Sequence, residues 1–117
     1  MHNFEKLIFW QKSIVLAKNI YLICQNISAD EKFGLISQMK RSVVSIPSNI
    51  AEGSGRNNYK EFNHFLAIAL GSAFELQTQL ILAKELELIK DDLASEILAD
   101  LVEIQKMIYS FKQKLNS

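Results

Sequence analysis

Apolar residues recur three and four positions apart in four separate stretches of the chain, the spacing of one face of an α-helix. The first stretch runs from about Phe4 to Gln25, with Leu7, Trp10, Ile14, Ala17, Tyr21 and Cys24 on that face. Ile8, Val15 and Leu22 repeat every seven beside it, and Phe9, Leu16 and Ile23 beside those. Such a stripe is wider than one bundle core requires, so part of this helix is expected to meet another subunit.

Ser28 with Glu31 three residues on has the form of a capping box, and a second helix is expected to begin there. Ile36, Met39, Val43, Ile46 and Ile50 keep one phase straight through Pro47, which predicts a continuous helix bent at the proline rather than a stop. Gly53 is the expected left-handed residue at its end, with Gly55 loosening the turn. Asn58 with Glu61 caps a third helix to about Leu88, whose seam is Phe62, Leu66, Ala69, Ala73, Leu76, Leu80 and Ala83. Asp91 or Asp92 is the expected cap of a fourth, with Ile97, Leu101, Ile104, Ile108, Phe111 and Leu115 as its seam.

Four long amphipathic helices with short connections predict an all-α fold, an antiparallel up-down-up-down four-helix bundle with a Pro-kinked second helix. Length and composition agree. The 117 residues suit one domain spanning 1–117, and 49% apolar residues with four glycines and one proline exclude both disorder and a turn-rich β-sandwich.

The 13 basic and 13 acidic residues cancel, which removes the basic excess of a general nucleic-acid binder. The balance is uneven along the chain: residues 1–60 carry eight Lys/Arg against four Asp/Glu, and 61–117 carry five against nine. A head-to-tail or intramolecular charge match follows from that asymmetry. Cys24 is the single cysteine, so no intrachain disulfide forms, and a reducing, cytoplasmic setting is expected. The start "MHNFEKLIFWQK" lacks the form of a signal peptide, and no uninterrupted apolar run approaches the ~18 residues of a membrane span, so no membrane partner is expected.

Catalytic chemistry finds little to stand on. Glu61-x-x-His64 is half of a di-metal bundle motif, but the other histidine is His2 at the terminus, so no metal and no cofactor are expected. Cys24 lies on an apolar seam, where a thiol is an inert small hydrophobe. "GSGRNN" lacks the P-loop pattern, a third glycine and a preceding strand, so it is a helix stop rather than a phosphate cradle. No catalytic residue and no small-molecule substrate are expected.

Two polar features remain. Lys40, Arg41, Arg56 and Lys60 cluster in sequence around the second helix and the turn after it, a candidate nucleic-acid-binding set whose alternative is a solvated helix face. Gln38, Ser42, Ser45, Asn49, Glu52 and Arg56 form a stripe on the second helix, rotated ~110° from its apolar axis at ~100° per residue, and Ser72, Glu75 and Gln79 form a shorter one on the third. In antiparallel neighbours these stripes either face each other along the shared seam or point outward toward another subunit. Buried polar chains must be mutually hydrogen-bonded and can fix register. The small residues of Gly71 to Ala73 would let another helix approach closely.

"FEKLIFWQKS", "GLISQMKRSVVSIPSNIAEGSGR" and "EFNHFLAIALGSAFELQTQLILA" together resemble the four-helix-bundle proteins encoded in intervening sequences of bacterial 23S ribosomal RNA genes. The resemblance covers nearly the whole chain and implies a homopentamer of antiparallel bundles without enzymatic activity. Structurally similar proteins are accessory factors of diversity-generating retroelements, which are basic, pentameric, and bind a reverse transcriptase and nucleic acid. The matching motif positions are Gln38, Arg41, Ser45, Pro47, Asn49, Glu52, Gly53 and Arg56, then Phe62, Phe65, Gly71, Ser72, Glu75 and Gln79. Ser42-Val43 stands where smaller residues are expected, and the neutral net charge departs from the basic accessory factors. The expectation is a non-enzymatic homo-oligomeric scaffold whose partner is itself, the alternative being an accessory module for RNA or a nucleic-acid enzyme.

Overall fold

The computed structural model describes residues 3–116, the side chains of Lys32 and Phe33 apart; His2 lies outside the described residues. Four helices account for the fold: α1 (Ile8–Cys24), α2 (Ser37–Ser54), α3 (Tyr59–Glu85) and α4 (Asp91–Asn116). They pack into a bundle of 44 × 23 × 20 Å with no strand among the described residues. α1 and α3 each pack on both α2 and α4 and so occupy opposite corners.

Contacts fix the relative directions. Ser45 meets Ser72 while Gly53, further along α2, lies against Phe62 and Phe65 at the start of α3, so these two run in opposite directions. Lys84 reaches Ser95 while Lys112 reaches Asn63, which makes α3 and α4 opposed in the same way.

The expected seams of α2, α3 and α4 are the observed ones. Met39, Val43, Ile46 and Ile50 are fully buried against Leu66, Ala69, Ala73, Leu76, Leu80 and Ala83, and against Leu101, Ile104 and Ile108. α2 continues unbroken through the buried Pro47. The ring removes one backbone donor, yet the apolar phase on both sides keeps the residues in helix.

The seam of α1 differs from expectation. Its buried face is Phe9, Ser13, Leu16, Ile20 and Ile23 with Cys24 at its edge, whereas Ile14 and Tyr21 are exposed. The outer flanking row, Phe9, Leu16 and Ile23, is the true core, and the helix starts later, after a 3₁₀ turn at Phe4–Lys6. Ser13 is tolerated inside because its hydroxyl donates to the Trp10 carbonyl at 2.7 Å.

Three expected boundaries shift as well. The Ser28 hydroxyl accepts from the Asp30 N–H at 3.3 Å, not from Glu31, and opens only a 3₁₀ turn. Gly34 leaves helical geometry (φ −105°, ψ −108°) inside a wide turn at Lys32–Ile36, so regular helix begins at Ser37. At the far end Gly53 is inside α2 and Gly55 (φ −84°, ψ −3°) caps it, with no glycine in the left-handed region among the described residues. Asn58 caps α3 as expected, its Oδ1 accepting the Glu61 N–H at 2.8 Å. Asp91 and Asp92 fall within the first turn of α4 rather than before it, where their charge still complements the helix dipole.

Candidate interaction surface

Along the α2/α3 seam the two polar stripes meet. Ser45 Oγ and Ser72 Oγ are 2.7 Å apart, and Asn49 Nδ2 donates to both the Ser45 carbonyl (2.8 Å) and its hydroxyl (3.0 Å). Ser42 and Ser72 are buried, Ser45 and Asn49 half-buried, and Gln38, Glu52 and Glu75 exposed. The α2 stripe is thus buried in its middle and more solvated at its ends, whereas on α3 the middle member Glu75 is exposed between buried Ser72 and half-buried Gln79. Gln79, at the inner edge of this row, has a buried Oε1 with no hydrogen-bond partner.

Gly53 belongs to the same seam for a steric reason. A Cβ there would lie 2.7 Å from Phe65 Cβ and 2.9 Å from Phe62 Cδ1, so the missing side chain is what lets α3 approach. Its expected role as a left-handed helix stop is replaced by close packing.

The four candidate nucleic-acid contacts do not form one patch. Lys40 lies over the Tyr21 ring at 4.9 Å and Arg41 is exposed beside it. Arg56 pairs with Glu52 at 3.3 Å and stacks over Phe65 at 4.7 Å, with exposed Lys60 on the next turn. Sixteen residues separate Lys40 from Arg56, about 24 Å along α2 at ~1.5 Å per residue. Glu61 and His64 are both exposed, Glu61 is engaged by Asn58, and no cluster of three metal-ligating side chains occurs among the described residues.

More distinctive is the apolar surface left outside. Ile8, Val15 and Leu22 are 51%, 58% and 48% exposed along the α4 side of α1. Ile68 and Leu82 are 39% and 48% exposed along the α2 side of α3, and Phe74 and Ile81 are exposed on its other flank, beside the row that meets α4. α3 is, among the described residues, the one helix long and apolar enough by composition to cross a membrane, and only a third of its most apolar window is buried in the bundle. The apolar character of α3 is broken into short runs, so it shows in the composition of the helix and not in any one stretch.

The α3/α4 seam also carries polar contacts without a sequence signal. Gln105 Nε2 donates to Gln77 Oε1 at 2.9 Å, and Lys112 Nζ donates to Asn63 Oδ1 at 2.7 Å and to its carbonyl at 3.1 Å. Burial pushes the Lys112 amine below its ordinary range.

Residues 5–110 match the family described as 23S rRNA-intervening sequence protein. The chain belongs to that family. A crystal structure of a protein of unknown function from the S23 ribosomal protein family, from Bacteroides thetaiotaomicron, superposes with a TM-score of 0.84 at 29% identity, covering 91% of this chain and 96% of that one. No curated protein matches the chain. Of the matching motif positions, Ser45, Asn49, Gly53 and Ser72 lie in the α2/α3 seam, and Pro47 is buried within α2.

Proposed function

We propose that the protein is a non-enzymatic scaffold that acts as a ring-shaped homo-oligomer of four-helix bundles, a pentamer by resemblance to its family, in the cytoplasm. The observation that carries this is the pair of apolar stripes on α1 and α3, at opposite corners of one bundle. Large contiguous apolar surface is costly to leave in water and marks contact with a partner. Two different sticky faces on opposite sides generate a heterologous contact, which closes into a ring when the rotation per copy divides a full turn. A single buried thiol and no disulfide among the described residues suit a reducing compartment.

Size-exclusion chromatography with light scattering tests the reading. The expected mass is a whole multiple of 13.4 kDa, five-fold for the pentamer. A strict monomer throughout the micromolar range overturns it.

A further inference from the structure

We propose that the groove between α1 and α4 seats the outward ridge of α3, Ile68, Glu75 and Leu82, from a second copy of this chain. The inference rests on the self-association reading and adds which faces meet and in what register.

The groove is built into the fold. α1 and α4 are the most sparsely packed of the four neighbouring helix pairs, and three cavities run end to end along their seam. They share Asn19 and Asp100 at one junction and Ile8 and Glu103 at the other, so the groove is continuous. Ile8, Val15 and Leu22 line its α1 side, with Leu16, Ile23 and Ile104 in its floor.

The ridge has the matching period. Ile68, Glu75 and Leu82 recur every seven residues, as do Ile8, Val15 and Leu22, so both rows drift around their helices by the same small angle per repeat. Height decides whether they can meet, because cyclic rotation about an axis parallel to the bundle leaves every residue at its own level. Leu22 shares a cavity with Glu96 and Ile97, and the neighbouring Ser95 takes the Lys84 amine, so Leu22 is level with the Leu82 turn. Asn19 lies by Asp100, five residues before the Gln105 that contacts Ala73 and Gln77, which sets Val15 by Glu75 to within about one 5.4 Å turn. Phe9 packs on Phe111, and Lys112 reaches Asn63, which brings Ile8 toward the Ile68 end of α3.

Charge weighs against the symmetric pairings. Glu75, the polar member of the ridge, comes level with exposed Lys18, three residues beyond Val15, while Lys12 on the other side is ion-paired with Glu103 at 2.8 Å and shares the groove with Asp100. Ridge against ridge would set Glu75 on Glu75, and groove against groove would set the Glu96 and Asp100 wall on itself; both place like charges face to face. Gly71 beside the ridge has nothing within 4 Å of a notional Cβ, so the backbone there is open to close approach.

The test is a mixing experiment with Val15→Glu, which spoils the groove, and Leu82→Glu, which spoils the ridge. Both residues are about half exposed, so each variant should keep the wild-type circular dichroism; one that does not is replaced by Ile8→Glu or Ile68→Glu on the same row. Each alone is expected to run as a monomer, and an equimolar mixture as a 1:1 heterodimer of about twice 13.4 kDa, because one intact groove and one intact ridge remain. A mixture that stays monomeric, or a single variant that keeps the wild-type mass, overturns the assignment of faces while leaving an oligomeric wild type standing. A monomeric wild type overturns the self-association reading and this one together.

Discussion

Ser45 and Ser72 share a hydroxyl–hydroxyl hydrogen bond of 2.7 Å across the α2/α3 seam, and Asn49 closes it from the same side of α2. An unpaired buried hydroxyl is costlier than a missing pair, so the two serines should be energetically coupled. Ser45→Ala and Ser72→Ala are each expected to cost about 1–2 kcal/mol, and the double variant less than their sum by about 1 kcal/mol. Urea unfolding of the four proteins in the cycle measures this; strict additivity would show that the contact carries no register information.

Two glycines in the same pair of helices should respond oppositely to alanine. At Gly53 the new methyl meets Phe65 Cβ and Phe62 Cδ1 below 3.0 Å, and α3 must move away, at a cost of about 1–3 kcal/mol. At Gly71 the space is open and the residue is helical, so Gly71→Ala should stabilise by about 0.5–1 kcal/mol. Thermal melts in the Leu82→Glu background keep any effect on assembly out of the comparison.

Legibility of the fold differed between helices for a physical reason. In α2 and α4 one row of apolar residues is continuous and polar residues flank it, and in α3 the strict four-three row from Phe62 to Ala83 marks the core although Ile68, Phe74, Ile81 and Leu82 are apolar outside it. α1 is apolar on several adjacent rows, and which row is buried depends on where α2 and α4 lie, which is tertiary information. Ser13 hides this further, being a polar residue in the true seam that is satisfied by its own backbone. The polar stripes are legible as a spacing, but spacing alone permits two arrangements, and the Ser45–Ser72 contact decides between them. Gln105–Gln77 and Lys112–Asn63 join residues 28 and 49 apart, beyond the reach of any local pattern.

The split of the basic residues limits any nucleic-acid footprint. Lys40 and Arg41 lie on one part of α2, and Arg56 and Lys60 sit near its other end, with Arg56 already engaged by Glu52 and Phe65. A single Leu82→Glu protomer on duplex DNA should show a log K against log salt slope no steeper than about −1.8, two phosphate contacts at ~0.9 each. A slope near about −3.6, the value for four contacts, would restore the accessory-module reading.

Cys24 should leave a mark on stability in alkali. Its thiol is buried, and desolvation pushes its pKa above the ordinary 9.0, with the Lys40 charge pulling the other way. Below pH 9.0 the thiol is protonated in both folded and unfolded chains and adds no pH dependence. Above it the unfolded chain releases the proton first, so stability falls as pH rises from 9.0 toward the folded-state value. Cys24→Ala removes a titrating group and a small packed side chain together. The packing loss is the same at every pH, whereas the alkaline slope is not. Melting curves of both proteins from pH 7 to above pH 10 should therefore converge as pH rises; two parallel curves would mean that the Cys24 thiol ionises as easily in the folded chain as in the unfolded one.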